Sequence, residues 1–167
     1  MARSPRCTPI AHEYPFDPSY GYDLDALLRI EPPPAPADFA ATWQQRYRAA
    51  LHVDPAPQLS RSADDRPGFV VRELAYSSTD DFPIRGWLLV PERKIPTRAL
   101  IYGHGYGGIE RPDFTLPYDD AVYVIPCFRG LCRSARAPIS TDPWWHVLHD
   151  IDKPDRYILR GCVEDIW

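Results

Sequence analysis

No apolar run in the 167 residues approaches the ~18 to 20 needed to cross a bilayer, and the first residues lack the apolar stretch of ~7 to 15 that a secretory signal carries. Basic charge is short as well. Lys+Arg 19 against Asp+Glu 23 gives a net charge of -4, the wrong sign for a protein that neutralises a phosphate backbone, so neither a membrane nor a nucleic-acid partner is expected. Cysteine is scarce: Cys7, Cys127, Cys132 and Cys162 contain no C-x-x-C pair, which excludes a disulfide scaffold. They read as free thiols, three of them buried, in a soluble cytoplasmic protein. Glycine is limited to 9 residues, so the 20 prolines, over twice the usual ~5%, do not make a low-complexity chain. No repeat at a solenoid period is visible. What remains is 44% hydrophobic and 13% aromatic, enough for one packed domain at a prior of roughly 150 residues each.

Residues 1–35 hold Pro5, Pro9, Pro15, Pro18 and Pro32 to Pro34. Neither helix nor ladder is expected to persist there, and this extended arm is expected to lie against the globule through Tyr14, Phe16, Tyr20 and Tyr22. A domain then runs over 36–167. Phe39, Trp43, Tyr47 and Leu51 recur every four residues, the period of an amphipathic helix. The β-rich runs 69–76 and 84–90, joined by Ser77 to Asp81, read as an antiparallel pair at a sheet edge. Residues 98–103 and 121–128 are apolar on both faces, as interior parallel strands should be. Tyr157, Ile158, Leu159, Cys162, Val163, Ile166 and Trp167 form one helical stripe. The fold class expected is α/β.

The segment that carries chemistry is Tyr102-Gly-His-Gly-Tyr-Gly-Gly108, directly after a strand. Glycines permit positive φ and leave backbone N–H groups exposed at the carboxyl end of the sheet, where open α/β sheets bind ligands. Such amides can face a developing oxyanion; a tight turn without chemical purpose is the alternative. The G-x-G-x-x-G spacing of a dinucleotide site is absent.

Taken in order, the helix with Phe39 and Trp43, Ile84-Arg-Gly-Trp-Leu-Leu-Val-Pro91, His104-Gly-Tyr-Gly-Gly108, Phe128-Arg-Gly130 through Ser134, and Arg160 with Asp165 resemble the acetyl xylan esterase and cephalosporin C deacetylase family of α/β-hydrolases. The resemblance covers roughly 35–167. It implies a serine esterase that removes short acyl groups, typically acetyl, from carbohydrate or related alcohols. It also implies that the Tyr106 N–H is one half of an oxyanion hole, supported by His104, Gly105, Gly107 and Gly108, with Arg129, Gly130, Arg160 and Asp165 as structural residues nearby. No cofactor and no metal are implied.

The family's nucleophile sits in a G-x-S-x-G elbow, followed later in the chain by Asp and His. No such elbow occurs here; Ser134 lies in Cys132-Arg-Ser-Ala-Arg136. The chain therefore reads as the N-terminal half of the sheet, with the catalytic C-terminal half missing. It is expected to be inert alone, and the partners expected are a complementing C-terminal half or other copies of itself in a homo-oligomer. The alternative is a non-catalytic module binding an acylated sugar or a partner chain through Trp144, Trp145 and Tyr106. The strand 121–128, lacking a neighbour on its far side, is expected to be an unprotected edge beside the uncovered helical stripe, favouring self-association.

The other candidates read more plainly. His104 is expected to bond loop backbone rather than act as a base. His146 and His149 lack a third ligand at a defined spacing and are expected to edge the mouth of the site or a subunit contact. Arg160 and Asp165 are either a buried bond from the helix to the 129–134 loop or two solvated charges. Cys127 and Cys132 are expected to pack rather than react.

Overall fold

The computed structural model describes residues 11–112 and 115–167; Pro5, Cys7 and Pro9 lie outside them. The chain falls into a small N-terminal unit that ends at Phe39 and a larger one from Ala40 to Trp167. In the first, Tyr14, Phe16, Tyr20 and Tyr22 are exposed, and Tyr14, Phe16 and Tyr20 follow one another as tilted ring pairs. Contrary to the expectation of no helix before residue 36, α1 spans Leu24–Leu28. Its physical reason is local: residues 19–31 are free of proline, and the Asp23 carboxylate accepts the Ala26 N–H at 2.7 Å, an N-cap of the usual kind.

The larger unit opens one residue into α2, Phe39–Leu51, the helix that the four-residue spacing predicts. Trp43 and Tyr47 meet the Trp167 ring edge-on, at centroid distances of 5.8 and 5.2 Å. Five strands follow: β1 Gln58–Arg61, β2 Phe69–Ser78, β3 Phe82–Pro91, β4 Arg98–Ile101 and β5 Ala121–Cys127. They form one sheet in the order β1-β2-β3-β5-β4. β2 and β3 are antiparallel along ten pairs from Phe69↔Pro91 to Ser78↔Phe82; β3 and β5 are antiparallel; β4 and β5 are parallel. This is the expected mixed sheet, antiparallel first and parallel after. Two short helices come last, α3 Pro143–His146 and α4 Ile158–Glu164. No described helix is long and apolar enough to cross a membrane.

Three expectations about the sheet are corrected. The β2–β3 hairpin is not at the edge, because the short exposed strand β1 pairs with β2; four polar-rich residues after a proline loop give no periodic signal. β5 is not an open edge, since it is inserted between β3 and β4. The edge is β4, and Ile101, 53% exposed, marks it. Thus β4 is not the interior strand that its apolar composition suggests, whereas β5 is interior, with Ala121, Tyr123, Ile125 and Cys127 buried on one face and Val122 and Val124 half-buried on the other.

The core is built where β3 and β5 face each other: Trp87, Leu89, Tyr123 and Ile125 are fully buried and cluster with Phe69, Val71 and Ile109. Each such side chain contributes about 1.5–3 kcal/mol of burial. Gly86 is required at the crossing of β3 and β5, since a Cβ there would lie 2.1 Å from the Ile125 carbonyl oxygen. Pro126, opposite Gly86, lies past the last β4 pair at Val124, so its missing N–H costs the parallel ladder nothing.

Candidate active site

β4 ends at Ile101, and the glycine segment leaves the sheet at the carboxyl end of that parallel strand. Gly105 to Gly108 close a turn through a Gly108 N–H to Gly105 carbonyl bond of 3.0 Å. Only Gly108 among these glycines takes a positive φ, +74°, and a Cβ on it would lie 2.6 Å from Cys132 Sγ. Gly105 and Gly107 face open space, so their glycines answer to access rather than to backbone strain. The N–H of Tyr106 bonds to no acceptor among the described residues.

His104 is buried, and both ring nitrogens are engaged by backbone. Its Nε2 lies 3.1 Å from the Phe128 N–H, a donor. Nε2 is therefore the lone-pair atom, and Nδ1 carries the proton that it donates to the Gly105 carbonyl at 2.7 Å. A ring fixed this way holds the turn and has no free nitrogen for proton transfer. Ser134 is similarly occupied, donating to the Cys127 carbonyl at 2.7 Å and accepting the Arg85 N–H at 2.9 Å.

Beside the turn lies an apolar cavity of about 420 Å³, lined by His104, Tyr106, Leu131, His146, Leu159 and Val163 among others. Its far wall is the stripe of α4 anticipated from the sequence, with Val163 and Trp167 exposed. His146 is fully buried and donates Nε2–H to the Arg129 carbonyl at 2.9 Å. Its Nδ1 has no hydrogen-bond partner among the described residues, and burial pushes the imidazole below its ordinary pKa. His149 is half-buried and does not join it in a metal cluster. Trp144 and Trp145 stand exposed on α3, a helix capped by Asp142 and begun by Pro143.

Arg129 and Asp165 fix the geometry of this wall. The Asp165 carboxylate accepts from the Arg129 backbone N–H at 2.9 Å, from Nε at 2.9 Å and from Nη2 at 2.7 Å. Nη2 also donates to the Ser78 and Thr79 hydroxyls. Burial pushes the Asp165 carboxyl up, opposed by Arg129. Gly161 lets α4 approach, since a Cβ there would sit 2.5 Å from Arg129 Cδ; Gly130, at φ +83°, leaves room for Ile139 and His146. The helix-to-loop bond is thus made by Asp165 with Arg129. Arg160 takes no part in it: it donates to the Pro154 carbonyl and lies near Asp155 and Glu164.

A second ion pair, Arg46 with Glu164 at 2.5 and 2.8 Å, ties α2 to α4. Burial works to raise Glu164, but Arg46 and the Thr79 hydroxyl outweigh it and hold the carboxyl below its ordinary value. Of the three described cysteines, all free, Cys127 and Cys162 are buried but Cys132 only half so. Burial pushes the Cys127 and Cys162 thiols up to about 12, which disfavours a free thiolate at either position.

The sequence profile described as Acetyl xylan esterase (AXE1) matches residues 23–133. The chain belongs to the acetyl xylan esterase family. Among solved structures it resembles acetyl xylan esterase 1 from Thermoanaerobacterium sp. JW/SL YS485, with a TM-score of 0.60 and 20% identity over 79% of this chain and 44% of that one. It also resembles the acetyl xylan esterase from Paenibacillus sp. R4, with a TM-score of 0.57 and 18% identity over 86% of this chain and 49% of that one. The chain spans less than half the length of these esterases. At such identity the likeness establishes the fold, the N-terminal half of an α/β-hydrolase sheet.

The residues that sequence reasoning missed are those that the esterase-family fold alone assembles. Ser78 and Thr79 sit in a turn read only as a connector, yet they bind Arg129 from 50 residues away. The proximity of His104, Cys127 and Cys132, whose ligand atoms lie within 4.8 Å of one another, has no signal in linear spacing.

Proposed function

We propose that this chain supplies one oxyanion donor, the Tyr106 N–H, and one wall of the acyl pocket of a serine ester hydrolase. Its substrates are acetyl esters of carbohydrate or related alcohols, and further polypeptide brings the serine, base and acid. The observation that carries this reading is the open Tyr106 amide beside an apolar cavity, at the carboxyl end of a parallel strand. In that role the amide donates to the carbonyl oxygen as it becomes an oxyanion, and the cavity takes up the acyl chain while excluding water. His104, with Gly105, Gly107 and Gly108, holds the turn in place. Three unpaired thiols among the described residues suit the reducing cytoplasm.

One oxyanion donor contributes ~10² to 10³ in rate, whereas the catalytic triad as a unit contributes on the order of 10⁶. The 167 residues alone are therefore expected to hydrolyse a chromogenic acetyl ester at background. Mixed with a polypeptide carrying the C-terminal half of a related esterase, they should yield hydrolysis that a serine-directed phosphonate abolishes. Tyr106→Pro, which removes the N–H, should lower that rate by ~10² to 10³. Unaided cleavage insensitive to the phosphonate would overturn the proposal.

A second reading, a binding module without catalysis, draws support from Trp144 and Trp145, 81% and 66% exposed side by side on α3. Such faces stack on sugar rings. Saturable binding of acetylated xylan by the lone chain, lost on Trp144→Ala with Trp145→Ala, would favour it.

A further inference from the structure

His104, Cys127 and Cys132 reach one another from three segments: the glycine turn, the last residue of β5, and the 3₁₀ turn at Cys132–Ser134. One ligand atom from each lies within 4.8 Å of the others. An ion held tetrahedrally at ~2.3 Å from sulfur and ~2.0–2.1 Å from nitrogen needs its donors about 3.5–3.8 Å apart, so a contraction of about 1.3 Å or less closes the set.

The hydrogen bonds already in place orient these donors. The His104 Nδ1–H donates to the Gly105 carbonyl at 2.7 Å, which leaves Nε2 with its lone pair; a ligating imidazole is ordinarily held by such a bond from its other nitrogen. The Phe128 N–H now occupies that lone pair and would yield it to the ion. Cys132 Sγ accepts the Ile109 N–H at 3.0 Å, a bond that strengthens as the sulfur becomes a thiolate.

Charge selects the ion. Two thiolates and a neutral imidazole around a divalent cation sum to zero, which a site containing the fully buried Cys127 tolerates; a monovalent cation would leave one buried negative charge. Sulfur and imidazole donors exclude magnesium and calcium and suit zinc. Cys132 is the one ligand of the three that is only half-buried, and it gives the ion its way in.

We propose that His104, Cys127 and Cys132 form a binding site for a thiophilic divalent cation of the zinc type, which clamps the glycine turn to the end of β5. Binding follows M²⁺ plus two thiols to a metal dithiolate plus two protons, with no change of oxidation state. The site stands independently of the esterase reading.

The test uses the whole chain, stripped with a chelator, kept reduced by a phosphine and titrated anaerobically with cobalt(II) chloride. The expected result is thiolate-to-cobalt charge-transfer absorption in the near ultraviolet with intense tetrahedral d–d bands. Both saturate at one equivalent and are displaced by one equivalent of zinc, with release of two protons and a rise in the unfolding temperature. Cys132→Ser, conservative in size and checked for fold by circular dichroism, should weaken binding by roughly 100-fold. Cys162→Ser, outside the cluster, should leave it unchanged. Absence of the charge-transfer band from the folded parent, or a band that survives in Cys132→Ser and Cys127→Ser alike, would overturn the proposal.

Discussion

Removing the Asp165 carboxylate should cost the chain a large share of its stability, and the magnitude follows from what would be left behind. Arg129 is 5% exposed and directs its backbone N–H, Nε and Nη2 at that one carboxylate. The Phe82 ring covers the guanidinium at 5.2 Å. In Asp165→Ala the guanidinium keeps its Ser78 and Thr79 contacts and the exposed Asp80 carboxylate at 3.6 Å, but loses its buried counter-charge and the acceptor for its amide. Breaking a buried pair from one side costs about 3–5 kcal/mol, against a total of about 5–15 kcal/mol for a folded domain.

With a urea m-value of about 2 kcal/mol/M, the midpoint should fall by about 1.5–2.5 M. The measurement is made at mildly alkaline pH, above a carboxyl that burial has raised. The replacement that empties both sides, Arg129→Met with Asp165→Leu, should recover most of the loss, because it is the unpaired charge rather than the absent bond that is expensive. A midpoint shift below about 0.5 M for Asp165→Ala would refute the reasoning, since it would mean that water reaches Arg129 and that α4 is not anchored as described.

Gly86→Ala would set a Cβ against backbone on β5, at 2.1 Å from the Ile125 carbonyl oxygen; it should destabilise by about 3 kcal/mol or yield insoluble protein, and an unchanged urea midpoint would contradict the β3–β5 register. Ile101→Lys on the free edge of β4 should reduce self-association in sedimentation velocity, whereas identical association of parent and variant would show that another surface is responsible. Glu164, whose folded pKa is held below its ordinary 4.5, contributes stability that is present above that value and lost as pH falls through the folded pKa. Glu164→Gln should therefore be less stable than the parent at neutral pH, and the gap should close in acid. Asp165, shifted up, acts with the opposite sign, so the difference between the two proteins is the quantity to follow, and a gap independent of pH would exclude the Arg46–Glu164 pair as its source.

The legible parts of the sequence were those where one periodicity served one environment. β5 reads as a run apolar on both faces because one face is buried and the other at least half-buried, and α2 reads as a helix because its four-residue spacing holds over three turns. The glycine turn was legible as a loop of accessible amides, yet not which glycine is strained; that is Gly108, decided by Cys132 from 24 residues away. β1 escaped because an exposed four-residue strand needs no apolar pattern. Strand order escaped for a deeper reason. Local pattern reports how many faces are buried and is silent on which neighbour buries them, so β4 and β5 looked alike until the pairing set one at the edge.

That pairing bears on how a completed site could be built. β4 is parallel to β5, and α4 follows β5 in the chain with its apolar stripe toward the cavity beside the glycine turn. In a sheet ordered β1-β2-β3-β5-β4, a further strand parallel to β4 and β5 would have its place alongside the free edge of β4. A strand placed there would cover Ile101 and would end, as β4 does, on the side where the Tyr106 amide is open. Under the function proposed, the turn that follows such a strand is where a nucleophile would stand to share an oxyanion with that amide.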